Sequence, residues 1–218
     1  MADERRLLDE QIAYYRLRAP EYDATSMPEG DPFAVHGATI REAIHGLDLR
    51  GRVIEIAAGT GQWTGLLAEH ADELLVTDAS PEMLAINRAK VGDRPNVRWE
   101  VADALALRPT GDVDVAFLGF FLSHVAPTSF DRFWAVLHGL LAPDGQVVFV
   151  DEGRHFLWRE EWLDEAAGIA SRRLSDGSAH RVVKVLWDLA ELVDRLRGLG
   201  WDASVHEEGP FYWGTARR

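Results

Sequence analysis

The chain has 218 residues, a formal net charge of −13 and no cysteine. That length suits one domain with a substantial core, or one domain with a small cap. The missing cysteines exclude disulfides, zinc–thiolate sites and cysteine nucleophiles, and the negative field argues against nucleic acid as the main partner.

No apolar run approaches the ~18 residues of a membrane span. The start, Met1 to Arg6, is charged and lacks an apolar signal core, so a cytoplasmic protein is expected. Residues 4–18 read as a helix, with Leu7, Leu8, Ile12 and Tyr15 near helical spacing. It carries Tyr14 to Arg18 and stops near Pro20, which disfavours helix at the residue before it. Glu21-Tyr22-Asp23 and a loop with Pro28, Gly30, Asp31 and Pro32 follow, and residues 33–48 form a second helix.

The informative stretch is Val53 to Thr64. A short apolar strand at 52–57 breaks into Ala57, Ala58, Gly59 and Gly61, then continues from Trp63 at helical spacing. A strand that turns tightly into a helix leaves backbone N–H groups uncovered, and these and the helix dipole receive anionic ligand groups. The dinucleotide fingerprint G-x-G-x-x-G is incomplete, because Gly65 comes one step late. A second strand, 73–78, ends in Asp78, which lies 17 residues beyond Gly61. That is the range in which a strand-terminal carboxylate meets ribose hydroxyls. Ser80, Pro81 and Glu82 then open a helix as cap, first-turn proline and first-turn acid.

Val97 to Val101 alternates as a third strand and runs into Ala102-Asp103-Ala104. A fourth, continuously apolar strand at 112–121 suits the centre of a sheet covered on both faces. His124 follows at its carboxyl end, where open α/β sheets place their chemistry. It is a candidate general base or substrate positioner, or a histidine that satisfies backbone groups at the strand exit. A helix at 128–141 and a fifth strand at 146–152 complete five alternating units, hence a doubly wound sheet.

The alternation stops at residue 153, where about 35 extra residues precede a helix at 188–199. Residues 160–166 look helical, and 172–185 look like a hairpin with a Ser-Asp-Gly turn. This insertion carries Arg154, His155, Trp158, Arg172, Arg173, His180, Arg181 and Lys184, a basic island in an acidic chain. It is read either as padding on the sheet or as the pocket of an acidic substrate. Residues 201–206 and 211–216 would close the sheet as an antiparallel pair.

Glu55-x-Ala57-x-Gly59-x-Gly61, Asp78-x-Ser80-x-x-Met83-Leu84 and Leu141-x-Pro143-x-Gly145 together resemble the signatures of class I S-adenosylmethionine (SAM) methyltransferases of small molecules. Ala57 departs from the family pattern, which has glycine there. The resemblance covers roughly 50–152 and 188–218. It implies a seven-stranded, mostly parallel sheet in the order 3-2-1-4-5-7-6, with helices on both faces. One domain over 1–218 is expected, with a helical lid at 1–32, and the place of the insertion at the active end of the sheet makes 153–187 a substrate cap.

By that resemblance SAM is the cofactor and S-adenosylhomocysteine (SAH) the product. Its contacts would come from Tyr14, Arg18, Tyr22, Glu55, Ala57, Gly59, Gly61, Trp63, Asp78, Ala79, Met83, Ala102, Asp103, Ala104 and Phe120. The resemblance puts Phe121 at the acceptor, an O or N of a small molecule, and makes His124 catalytic; the basic island adds His155, His180 and Arg181 as acceptor contacts and points to an acidic acceptor. No metal, nucleic-acid or membrane partner is expected, and the protein would be a monomer or homodimer. The alternatives are a same-fold protein or RNA methyltransferase, an enzyme that uses SAM without methylating, and an NAD(P)-dependent oxidoreductase.

Overall fold

The computed structural model describes residues 2–26 and 30–218, so the Pro28 part of the loop expected after the first helix lies outside the described residues. Helix α1 (Ala2–Arg18) leads through a short turn into α2 (Tyr22–Ser26), and α3 (Ala34–His45) precedes the sheet. Then follow β1 (Arg52–Ile56), α4 (Thr64–His70), β2 (Glu73–Asp78), α5 (Pro81–Val91), β3 (Val97–Val101), β4 (Val113–Gly119), α6 (Phe130–Leu140) and β5 (Leu141–Glu152). An excursion of three strands comes next: β6 (Glu161–Asp164), β7 (Ile169–Arg173) and β8 (Ala179–Val183). Helix α7 (Leu189–Gly198), β9 (Asp202–Glu208) and β10 (Phe211–Arg217) end the chain.

The main sheet has seven strands in the order β3-β2-β1-β4-β5-β10-β9, which is the expected 3-2-1-4-5-7-6. Its first five strands run parallel, and β10 lies antiparallel to β5 and to β9. Period-two alternation sorts the core into two layers. Val115 and Phe117 of β4 face a cluster with Ile40, Ile44, Leu67 and Val76, whereas Ala116 and Leu118 face one with Phe133, Trp134, Leu137 and Leu192. Burial on both faces explains why β4 reads as one apolar run.

Residues 160–166 correct the sequence reading, because β6 is a strand paired antiparallel with β7. Glu, Leu and Ala favour helix intrinsically, but a seven-residue run has too few turns for that preference to prevail over tertiary pairing. Trp162 packs instead beside Ala170, Leu174 and Val182. The 172–185 hairpin is present as β7 and β8, with Gly177 at φ 86° in its turn.

Helix α1 is fixed to β8. Arg181 pairs with Glu10 through its guanidinium at 2.9 Å, and Gln11 accepts the Val183 N–H at 2.7 Å. This pairing places α1 across the carboxyl ends of the parallel strands. No helix among the described residues is long and apolar enough to cross a membrane.

Candidate active site

The glycine turn after β1 forms one wall of a cleft beneath α1. Ala57 and Gly59 adopt left-handed backbone at φ 54° and 55°. Nothing lies within 4 Å of where a Cβ on Gly59 would sit, so the turn leaves open space toward the cleft. Asp78 holds this turn in place: one carboxylate oxygen accepts the Gly59 N–H and the other accepts the Ser80 N–H, both at 2.8 Å. Burial pushes its carboxyl pKa up, while those backbone N–H groups oppose the shift. Each oxygen keeps a lone pair for a further donor. Ala79, Ser80 and Met83 continue the wall, and Ala102, Asp103 and Ala104 extend it beside them, with the Ala102 N–H donating to the Asp78 carbonyl at 3.0 Å. Asp103 caps its own turn by accepting the Leu105 N–H at 2.9 Å.

The middle turns of α1 supply the roof through Leu8, Gln11, Ile12 and Tyr15. Tyr14 corrects the expectation for this helix: it is 2% exposed and packs with Ala170, Leu174 and Val182, away from the cleft. One residue along a helix is a rotation of about 100°, and Tyr15 has the inward position. The signal was present, because Leu8, Ile12 and Tyr15 share the i, i+4, i+7 face.

Glu55 and Gly61 also lie behind the wall. Glu55 is 1% exposed and receives the Thr64 hydroxyl at 2.6 Å, tying β1 to α4. Burial pushes its pKa to about 8. Gly61 is closed against Asn87, where a Cβ would come within 3.0 Å of the amide carbon.

A second cavity of about 700 Å³ adjoins the cleft. Tyr15, Tyr22, Gln62, Trp63, Phe120 and His124 line both, so these six mark where the two spaces meet. Phe120 is strained, with φ at 57°, and its N–H is held by the Val150 carbonyl at 2.7 Å. Left-handed backbone costs a non-glycine residue about 1–2 kcal/mol. F120G is therefore expected to be at least as stable as F120A in thermal melts, reversing the order found at ordinary positions. A markedly less stable F120G would remove the strain assignment.

His124 is oriented from both sides. Its Nδ1 lies 2.7 Å from the Val183 carbonyl oxygen, and its Nε2 lies 2.9 Å from the Tyr15 hydroxyl. A carbonyl only accepts, so Nδ1 carries the proton and, in the neutral ring, Tyr15 donates to Nε2. Burial, reinforced by the Lys184 charge, pushes the imidazole pKa well below its ordinary value. The ring is thus neutral near pH 7, and its free nitrogen is reached through Tyr15.

The floor of the second cavity is ionic. Lys184 is 3% exposed, pairs with Glu152 and donates to the Ser123 hydroxyl at 3.1 Å. Burial would lower its pKa, but Glu152 and Asp151 outweigh that and hold it above the ordinary value. Arg172 donates to Glu160 at 2.7 Å. Arg18 and Arg159 also line this cavity, and neither has a carboxylate within 4.0 Å among the described residues. Arg18 instead stacks 4.7 Å from the Tyr22 ring centroid and donates to Thr25 and Ser26.

Among the expected contacts, Ala57, Gly59, Asp78, Ala79, Met83, Ala102, Asp103, Ala104 and Phe121 line the cleft. Tyr22, Trp63, Phe120 and His124 stand at the junction, and Arg18 belongs to the second cavity. His155, His180 and Arg181 line neither space, which corrects their assignment. Arg181 is consumed by Glu10, His180 lies against Ser178 and Tyr14, and His155 stands edge-on to Phe33. Sequence reading did not single out Phe33, Arg159, Phe156 or Phe211, which come from distant segments with no shared motif. Among the described residues no cluster of His, Asp or Glu is arranged to hold a metal ion.

Residues 53–145 match a methyltransferase domain family. A solved complex of DhpI with SAH is 37% identical, with 97% of this chain and 96% of that chain covered and a TM-score of 0.83. A DhpI–SAM–HEP complex is 36% identical, covering 97% and 98% of the two chains at a TM-score of 0.83. An uncharacterized methyltransferase of Staphylococcus carnosus is 28% identical over 145 residues, which is 65% of this chain and 68% of that protein.

Proposed function

This chain belongs to the class I SAM-dependent methyltransferases, and from that membership we propose that it methylates an oxygen or nitrogen of a small acidic molecule. One observation carries the reading. The cleft under the glycine turn and a cavity with an ion-paired floor and two arginines free of carboxylate partners among the described residues, Arg18 and Arg159, meet at a shared set of side chains. The cleft suits the nucleoside: Gly59 leaves room, Asp78 offers lone pairs to the ribose, and Asp103 lines the same cleft at the neighbouring strand's exit. DhpI has been solved with SAM and HEP together, which supports a second ligand beside the cofactor in this chain too.

SAM supplies a methyl group already activated by its sulfonium. The protein therefore has to align an acceptor lone pair with that methyl group and keep water out. Tyr15 and Tyr22 cover the junction from above, and Phe120 and Trp63 wall its sides. Arg18 and Arg159, which line the cavity without a carboxylate partner among the described residues, would hold the anionic part of the acceptor, because charge-assisted bonds are the strong ones. Where the acceptor atom bears a proton, Tyr15 and His124 offer it a path to Nε2.

A protein or RNA acceptor is less well served. Leu122-Ser123-His124-Val125 follows β4 in place of an Asn/Asp-Pro-Pro-aromatic tetrad, and α1, α3 and the segment between β5 and β6 contribute to the lining of the second cavity. The test is transfer of deuterated methyl from SAM into a metabolite extract divided by ion exchange into anionic, neutral and cationic pools. Label is expected in the anionic pool. Label confined to the neutral or cationic pool would contradict the acidic acceptor.

A further inference from the structure

The reading of an acidic acceptor leaves one feature of the second cavity unused. Four phenylalanines from four separate parts of the chain converge on it: Phe33 before α3, Phe120 after β4, Phe156 between β5 and β6, and Phe211 opening β10. Phe33 meets Phe156 and Phe211 edge-on at ring-centroid distances of 5.4 and 6.4 Å, and Phe120 meets Phe211 at 5.8 Å. Phe33, Phe120 and Phe211 are only half-buried, so part of each ring remains open. Arg159 belongs to this wall, with its guanidinium 5.3 Å from the Phe33 centroid and 4.7 Å from that of Phe156.

A few-atom acid would need the cations but not this wall. An apolar wall around about 700 Å³ beside cationic groups has the composition of a site for a ring-bearing anion. Edge-to-face packing leaves positive ring edges and negative faces for a further aromatic ring to meet. A guanidinium lying on aromatic faces is shielded on one side and still donates from its rim.

We propose that the acceptor is an aromatic acid, its ring seated among Phe33, Phe120, Phe156 and Phe211 and its anionic group directed to Arg18 and Arg159. This rests on the acidic-acceptor reading and adds the ring to it.

Calorimetry on the full chain saturated with SAH separates the two claims. The probes are 2-naphthoate, hexanoate and the neutral 2-naphthamide. Naphthoate is expected to bind about 10-fold more tightly than either of the others, the size of effect that one buried ring face or one charge-assisted bond supplies. F156L is expected to weaken naphthoate several-fold, leave hexanoate nearly unchanged and leave SAH affinity intact. R159M is expected to weaken both acids alike. Equal binding of naphthoate and hexanoate would overturn the aromatic claim and leave the acidic reading standing. Equal binding of naphthoate and naphthamide would overturn both the acidic reading and this proposal. Absence of binding by all three while SAH still binds would overturn the proposal directly.

Discussion

Asp78→Ala is expected to lower SAH affinity by roughly 100-fold in calorimetry. Two effects act in the same direction. The carboxylate would lose charge-assisted bonds to the ribose hydroxyls, each worth about 1.5–3 kcal/mol when the acceptor is ionised. It would also release the N–H groups of Gly59 and Ser80, which it now holds at 2.8 Å and which set the shape of the turn. Asp78→Asn separates these. Its single carbonyl oxygen retains one backbone donor, but its amide nitrogen faces the other, so affinity should fall nearly as far while the fold suffers less. A D78N protein that binds SAH as tightly as wild type would show that no ionised contact to the ribose is made.

Glu55→Gln is expected to make the protein more stable at pH 8 than wild type by a few kcal/mol, and to change little at pH 5. Burial raises the Glu55 pKa from 4.5 to about 8. Between those values the folded chain keeps a proton that the unfolded chain has released. Stability then falls as pH rises through that window, by up to about 1.4 kcal/mol per unit, and levels off above the folded pKa. Glutamine keeps the bond from Thr64 and has no proton to lose, so it removes the slope. Urea titrations of both proteins at pH 5 and pH 8 would show the difference. Parallel pH dependence in the two would mean that Glu55 is not the group responsible.

The frame was legible because it rests on local and periodic signals. The apolar run of β4, the glycine turn after β1 and the Ser80-Pro81 helix start each report their own geometry, and together they give strand order through the family resemblance. Asp78 and Asp103 stand out as candidates because Asp78 ends β2 and Asp103 follows β3 by two residues. The acceptor side was harder to read, since it is assembled across the chain. Whether a cationic side chain faces a cavity depends on who else claims it: Glu10 takes Arg181, whereas Arg159 is left to the phenylalanines. The helical reading of 160–166 failed for a related reason, as β7 decides the conformation of that short run. Tyr14 and Tyr15 differ by one step, and only the Leu8–Ile12 face tells which turns inward.

The claim that holds the account together is that methyl donor and anionic acceptor occupy adjoining spaces that meet at Tyr15, Tyr22, Trp63, Phe120 and His124. A crystal grown with SAH and selenate tests it most directly, because the anion can be located by its anomalous signal. The prediction is SAH in the glycine-turn cleft with its sulfur at that junction, and selenium in the adjoining cavity within reach of Arg18 or Arg159. Selenium found only elsewhere, or SAH with its sulfur turned away from the junction, would contradict it.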